Sequence, residues 1–470
     1  MACFFDGLRW EAPMKRTDAS GVRRGLTTLT LLLALGVVIG LASGLLAVML
    51  KVVERFMMGY SETADVPGPY AVASWRRVTS VVLGSLFAGF IWWLLRTRTR
   101  RVPSVSKAVE GESLPVWQTT VHVLLQIFIV GSGSSIGREV APREFAAMLA
   151  QRMCKAFGID GRQGRAIVAC AAAAGLAGVY DAPLAGAFFA VEILLVDISI
   201  RTVALALGMC AVSAYVASFI KGDAVFYDMR LIKGSIPDWR LVVFAVICGV
   251  CAGMVGLLFR KASSWAQTNQ AQGIGIVWQM PLAAMFTGVV AIWLPQVMGN
   301  GRTAAQFAFS TAPGGKMSIN AGSTPATAPS LRWVALVMLA VLLAKMALTV
   351  LTIRSGASGG VLQPGIALGA VLGGLLGILA FLVFPGFAAH LSVTACALVG
   401  AAGLLSVSQQ APLMAMSLVM ELTNAPSSYL LPMAIASVTG LVVSWWLEAS
   451  FSSRPQLKEP RCRGVQGKIS

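Results

Sequence analysis

The chain has 470 residues, 57% hydrophobic and only 12% charged, where a soluble domain carries roughly 25% charged residues; with a mean hydropathy of +0.76 this excludes a soluble globular protein. The net charge of +17 comes from 37 Lys and Arg against 20 Asp and Glu. These basic residues gather at the chain ends and in short loops, the pattern of membrane flanks against anionic lipid, so a nucleic-acid partner is not expected.

In chain order, residues 1–25 form a polar segment expected in the cytoplasm. No cleavable signal peptide is evident, because the first apolar run, Leu26–Leu50, is long enough to span. Val78–Leu95 follows and is closed by Arg96, Arg98, Arg100 and Arg101, a cluster expected at the cytoplasmic face; Lys51, Arg55, Arg76 and Arg77 fill the loop before it. Next come shorter pieces interrupted by Gly and Pro: Glu139–Met153, Ala166–Gly178 and Pro183–Val196. Leu241–Phe259, Trp333–Ile353, Val361–Val383 and Tyr429–Leu447 again match the roughly 30 Å of a hydrocarbon core. The polar stretch Gly299–Ser330 reads as a flexible surface loop. In all, roughly a dozen to sixteen hydrophobic helical segments predict an all-α polytopic membrane protein.

The eight cysteines carry little chemistry. Cys154, Cys170, Cys210 and Cys396 lie in apolar stretches as small core residues. Cys248 and Cys251 form a C-x-x-C inside an apolar run, with no second pair to complete a metal site.

The segment Gly131–Pro142 stands apart. It sets Arg138 and Glu139 beside a loop of glycines and serines within an apolar polypeptide. Ionisable groups at membrane depth mark a pathway for ions, protons or substrate. A Gly/Ser turn opening into a helix also offers free backbone N–H groups to an anion.

The chain further resembles itself. Ala173-Ala-Gly-Leu leads to Asp181-Ala-Pro-Leu-Ala-Gly186 and Glu192; Ala401-Ala-Gly-Leu leads to Gln410-Ala-Pro-Leu and Glu421. Pro183 precedes Glu192 by nine residues, and Pro412 precedes Glu421 by nine. Pro142 closes one Gly-rich turn, and Pro364 closes another, Ser355-Gly-Ala-Ser-Gly-Gly-Val-Leu-Gln-Pro364. An offset of about 225 residues is too long for a solenoid. Large repeats with broken apolar segments at matching places point to a transport site at the repeat interface.

These motifs resemble the CLC family of chloride channels and chloride/proton antiporters. Gly137-Arg-Glu-Val-Ala-Pro142 is similar to the family's G-R-E-G-P, Gly360-Val-Leu-Gln-Pro364 to its G-x-F-x-P, and Asp181-Ala-Pro-Leu-Ala-Gly186 to N-A-P-L-A-G. The resemblance runs from about Leu26 to Leu447 in family order, and is greatest to bacterial ClcB-type members. It implies a CLC-type fold of two inverted repeats, 26–225 and 226–450, in a multi-pass inner (plasma) membrane protein. It also implies a homodimer with a pore in each subunit that carries chloride or a similar small anion. The short tail 451–470 leaves no room for CBS domains, and no cofactor or metal is expected.

Helix N-termini offer an anion orphan N–H groups and a partial positive charge without trapping it. The amides around Arg138–Val140 and Val361–Leu362 are therefore the candidate donors, with Gly137 and Gly360 letting the backbone approach. The resemblance makes these the two half-helix starts that flank the central site, and makes Glu139 the gate. Ionised, the carboxylate occupies the anion site; protonated, it swings out. The residues alone leave open ordinary helix starts in tight packing, and a Glu139 salt-bridged to Arg138 or Arg143.

Several positions depart from the family. The inner proton-relay glutamate falls at Ile193, so either Glu192 serves with Glu139 on a proton pathway or coupling is weak or absent. The inner G-S-G-I-P loop is replaced by Arg101-Val-Pro-Ser-Val-Ser-Lys107, which leaves Ser104 as the candidate hydroxyl ligand. The inner tyrosine position is Leu457, and Gly after the gate is Val140. A gated, weakly coupled or uncoupled anion pathway is the leading reading, and a proton-coupled antiporter the alternative. An intramembrane enzyme is the remote one: His122 and His390 stand alone in sequence, and Ser134 and Ser135 have no partnered base.

Overall fold

A computed structural model of the chain describes residues 19–63, 68–222, 225–229, 237–311, 330–388 and 390–451, with side chains from residue 30 to 450. Seventeen α-helices lie among the described residues. In the first half they are α1 (Ala19–Met57), α2 (Ser74–Arg98), α3 (Val105–Val109), α4 (Val116–Gly131), α5 (Val140–Phe157), α6 (Gly161–Tyr180), α7 (Pro183–Phe188) and α8 (Ile200–Lys221). In the second half they are α9 (Trp239–Thr268), α10 (Gly275–Trp293), α11 (Arg302–Phe309), α12 (Leu331–Arg354), α13 (Leu362–Val383), α14 (Pro385–Ala388), α15 (Val393–Gln409), α16 (Pro412–Thr423) and α17 (Leu430–Phe451).

Eight of the described helices are long and apolar enough to cross a membrane, α8 and α10 adding to the runs quoted above. Their outward faces carry exposed Leu45, Phe87, Ile247, Trp278, Leu336 and Val438. In water each such side chain forgoes about 1.5–3 kcal/mol of burial; lipid removes that penalty. The chain is a multi-pass membrane protein.

Two compact units emerge. Among the described residues the first comprises 19–49, 101–123 and 141–222. Its centre is α6, buried throughout Ala169–Gly178 and packed on α7 and α8. Ser43 Oγ donates to Gly175 O at 3.3 Å and Ser213 Oγ to Ala174 O at 2.8 Å. Small residues let these helices approach closely, and the hydroxyls satisfy spare carbonyls where no water can. His122, isolated in sequence, lies with Nε2 3.6 Å from Glu144 Oε2, both buried.

Among the described residues the second unit comprises 50–63, 68–100, 124–140, 225–229, 237–311, 330–388 and 390–451. Here α13 crosses α15, with Gly369 and Gly400 meeting so closely that a Cβ on either would overlap the other's backbone. α9 lies along α15 and α17, and Gly249 and Gly253 provide its contact face to α17. Cys248 and Cys251 sit on that helix as free thiols.

The repeat is visible in local geometry. α6 ends at Asp181 in the left-handed region (φ 58°), followed by Ala182 (φ −132°, ψ 73°) and Pro183 as the first residue of α7. α15 ends at Gln410 (φ 56°), followed by Ala411 (φ −141°, ψ 85°) and Pro412 as the first residue of α16. Proline suits that position because its missing N–H is one the helix start does not use.

Two expectations need correction. Gly299–Ser330 is not all surface loop: Arg302–Phe309 forms α11, buried along its whole length and packed on α13. Its Ala and Phe residues bury against a helix that the local composition does not reveal. Residues 312–329 of that stretch, and Leu457, lie outside the described residues. Nor are all the basic residues around α2 membrane flanks. Arg77 is buried, its Nε donating to Val72 O at 2.9 Å. Arg96 donates to Gly356 O at 2.8 Å and to Ser358 Oγ at 3.2 Å, holding the Gly-rich lead-in to α13.

Candidate anion site

The candidate site lies where two Gly-rich turns of the second unit meet. The first turn follows α4 and is tied down by its serines. Ser132 O accepts from Ser80 Oγ at 2.9 Å, Ser134 Oγ lies 3.2 Å from Ser85 Oγ, and Ser135 Oγ lies 3.2 Å from Thr349 Oγ1. Gly133, at φ 105°, accepts from Gly299 N–H at 3.1 Å. Fully buried Lys345 braces the far side of that contact, its Nζ donating to Val297 O at 3.0 Å and Gly299 O at 2.7 Å.

The two turns are joined backbone to backbone. Gly137 N–H donates to Gly360 O at 2.8 Å, and Gly360 N–H donates to Gly137 O at 2.9 Å. This bridge brings fully buried Glu139 to the start of α13. Its Oε1 accepts from Leu362 N–H at 2.7 Å and, more loosely, from Gln363 N–H at 3.4 Å. These are the first two residues of α13, whose N–H groups have no partner within the helix. A hydrogen bond to a charged group is worth about 1.5–3 kcal/mol, which offsets part of the cost of burying a carboxylate. A Cβ on Gly137 or Gly360 would overlap the carboxylate. Glycine is therefore required at both turns by close approach.

Of the donors anticipated from sequence, Leu362 N–H holds Glu139, joined by Gln363 N–H, and Val361 is the residue capping α13. Val140 is the first residue of α5. Arg138 is buried, its guanidinium carbon 5.5 Å from the Phe226 ring centroid. The Arg143 guanidinium carbon lies 4.9 Å from the Phe189 ring centroid. Ser104 and Glu192 belong to the first unit. Ser104 is exposed ahead of α3, and Glu192 is half-buried in a π-helical turn, Phe189–Leu194.

Sequence reasoning missed the residues behind the turns. Arg302 also faces Phe226, at 4.5 Å, and its Nε donates to Phe226 O at 2.9 Å. Arg302 Nη1 lies 3.7 Å from Glu62 Oε2, and Glu62 N–H donates to Glu54 Oε2 at 2.9 Å. Gln363 Nε2 donates to the hydroxyl of Tyr227, a fully buried ring set edge-on to Phe226 and Phe309. Burial pushes the Tyr227 phenol well up, so it stays protonated. Gln363 could have been found from its place in the Gly360–Pro364 motif. Tyr227 and Arg302 carry no motif.

The family model described as voltage gated chloride channel matches residues 84–445. The chain belongs to that family. As a member of the chloride channel family it is an anion-transport protein and not an enzyme. It is 29% identical over 434 residues to a ClcB-like chloride channel protein from Ralstonia nicotianae, covering 88% of this chain and 93% of that one. It is also 29% identical over 386 residues to the voltage-gated ClC-type chloride channel ClcB of Shigella flexneri, covering 79% and 85%. Among solved structures, a slow cyanobacterial Cl−/H+ antiporter is similar in fold, with a TM-score of 0.68 at 20% identity, covering 88% of this chain and 94% of that one. A CLC-type fluoride/proton antiporter gives a TM-score of 0.63 at 18% identity, covering 92% and 98%.

Proposed function

We propose that the protein conducts chloride or a similar small anion past Glu139, with little or no obligatory proton exchange. The observation that carries this is the Glu139 carboxylate resting on the N–H groups of Leu362 and Gln363. A carboxylate there fills a place suited to an anion. Its departure on protonation frees the same donors for chloride. The amides of Arg138, Val140 and Val361 extend the backbone lining. Ser104 is the candidate hydroxyl ligand at the inner side. The relatives named as chloride channels support chloride as the cargo.

Weak coupling rests on Ile193, which cannot titrate where the family's antiporters carry an inner glutamate. A second reading, proton-coupled antiport, is favoured by Glu192, held half-buried in a π-helical turn, a backbone irregularity frequent at functional sites. The antiporters among the similar folds point the same way.

Purified protein in liposomes with a chloride gradient and no proton gradient distinguishes the two. Chloride efflux without sustained uphill proton movement is expected, and such movement would establish antiport. Glu139→Ala is expected to raise chloride flux at neutral pH and flatten its pH dependence. No chloride flux from either protein would falsify the anion pathway itself.

A further inference from the structure

Phe226 and Tyr227 are adjacent in sequence, yet they touch opposite ends of the seat that holds Glu139. Phe226 lies under the guanidinium of Arg138, the residue before Glu139. Tyr227 accepts, through its hydroxyl, the side-chain amide of Gln363, whose backbone N–H reaches the Glu139 carboxylate. The segment 225–229 that carries both is itself anchored. Tyr227 N–H donates to Leu422 O at 3.1 Å. The Gln306 side chain from α11 accepts from Asp228 N–H at 2.9 Å and donates to Asp228 O at 3.0 Å. Arg302, on the same helix, holds Phe226 O.

A buried amide needs partners for both of its polar atoms, and among the described residues Gln363 Oε1 has none while Nε2 is spent on Tyr227. Among the described residues the side chain is thus placed for one link, to Tyr227. At the second residue of α13 that link fixes the helix start whose N–H groups receive the carboxylate.

Resting on the gating role proposed for Glu139, we propose that Tyr227 is a positioning residue for the gate, acting through Gln363. By clasping Gln363 on one side while Phe226 packs on Arg138 on the other, the segment sets how firmly the ionised carboxylate stays seated. The charged and titratable groups around this seat are Arg138, Arg302, Glu62 against Arg302, Glu54 on the Glu62 amide, and Lys345 on the Val297 and Gly299 carbonyls. None of them bonds the Tyr227 hydroxyl among the contacts above. Removing that hydroxyl therefore changes the clasp and leaves the charges in place.

Tyr227→Phe keeps the ring on Phe226 and Phe309 and deletes only the hydroxyl. With the seat loosened, the carboxylate leaves more readily, so half-maximal flux moves to higher pH. Loss of one neutral hydrogen bond corresponds to about a threefold rise in flux at neutral pH. The experiment measures chloride efflux from liposomes across acidic to neutral pH for wild type, Tyr227→Phe, Glu139→Ala and the double variant, with melting temperatures in detergent alongside. Gln363→Leu, which cuts the link from its other end, should reproduce the Tyr227→Phe shift. In the Glu139→Ala background the tyrosine substitution should change neither rate nor profile, because no carboxylate remains to be seated. The inference fails if Tyr227→Phe keeps the wild-type profile while Glu139→Ala flattens it, or if the tyrosine substitution alters flux equally in both backgrounds. A wild-type profile in Glu139→Ala itself removes the gate, and the clasp with it.

Discussion

Gly137 and Gly360 are paired through their backbones directly beneath the Glu139 carboxylate, and a Cβ on either would overlap it. Gly360→Ala therefore places a methyl where the carboxylate, or an anion replacing it, must lie. Overpacking of this kind costs about 1–3 kcal/mol, so anion flux should fall about tenfold or more. Adding Glu139→Ala should not restore it, since the methyl remains; recovery of flux in the double variant would show that the space beside Gly360 is not on the pathway. At this scale the sequence is informative about charge and silent about partners. Glu139 is conspicuous because a carboxylate in an apolar chain needs a reason. Gln363, Tyr227 and Arg302 are ordinary residues in one dimension, and their importance lies in which atoms they meet.

The helices that frame the turns are held by devices of their own. Lys345 projects from α12 onto the Val297 and Gly299 carbonyls, and Gly299 N–H in turn holds Gly133 in the turn that leads to Glu139. Lys345→Met leaves two carbonyls without that donor, at about 1–3 kcal/mol for each buried group left unsatisfied. A lower melting temperature and reduced flux should accompany each other in this variant; unchanged values of both would mean that the carbonyls find other partners. The breaks between α6 and α7 and between α15 and α16 rest on Asp181 and Gln410 in left-handed backbone. Asp adopts that conformation at less cost than a β-branched residue does. Asp181→Val should thus destabilise the protein by about 1–2 kcal/mol, with Asp181→Asn close to neutral in the same thermal melt. The long helices and the two A-P-L breaks were legible, because hydrophobic length and proline placement are local properties. α11 was not, since its burial is imposed by α13 rather than by its own composition.

Across the molecule, proton coupling needs a second titratable group besides the gate. Ile193 is half-buried in the π-helical turn beside Glu192, so a carboxylate there can be solvated in part. Ile193→Glu should raise chloride-driven proton movement above the wild-type level; liposomes loaded with a pH-sensitive dye read it directly, and a pH trace no different from wild type would locate the determinant of coupling elsewhere. The sequence by itself determined a polytopic helical membrane protein with an internal repeat and one exceptional carboxylate, because hydropathy, proline spacing and charge are carried by the residues themselves. Only the tertiary structure decided what that carboxylate rests on. Glu139 and Leu362 are 223 residues apart, and the Gly137–Gly360 bridge that joins them, like the hold of Phe226 and Tyr227 on Arg138 and Gln363, exists only once the chain has folded. Glycines have no side chain to signal a partner, and a backbone N–H becomes an anion donor only where folding leaves it unpaired.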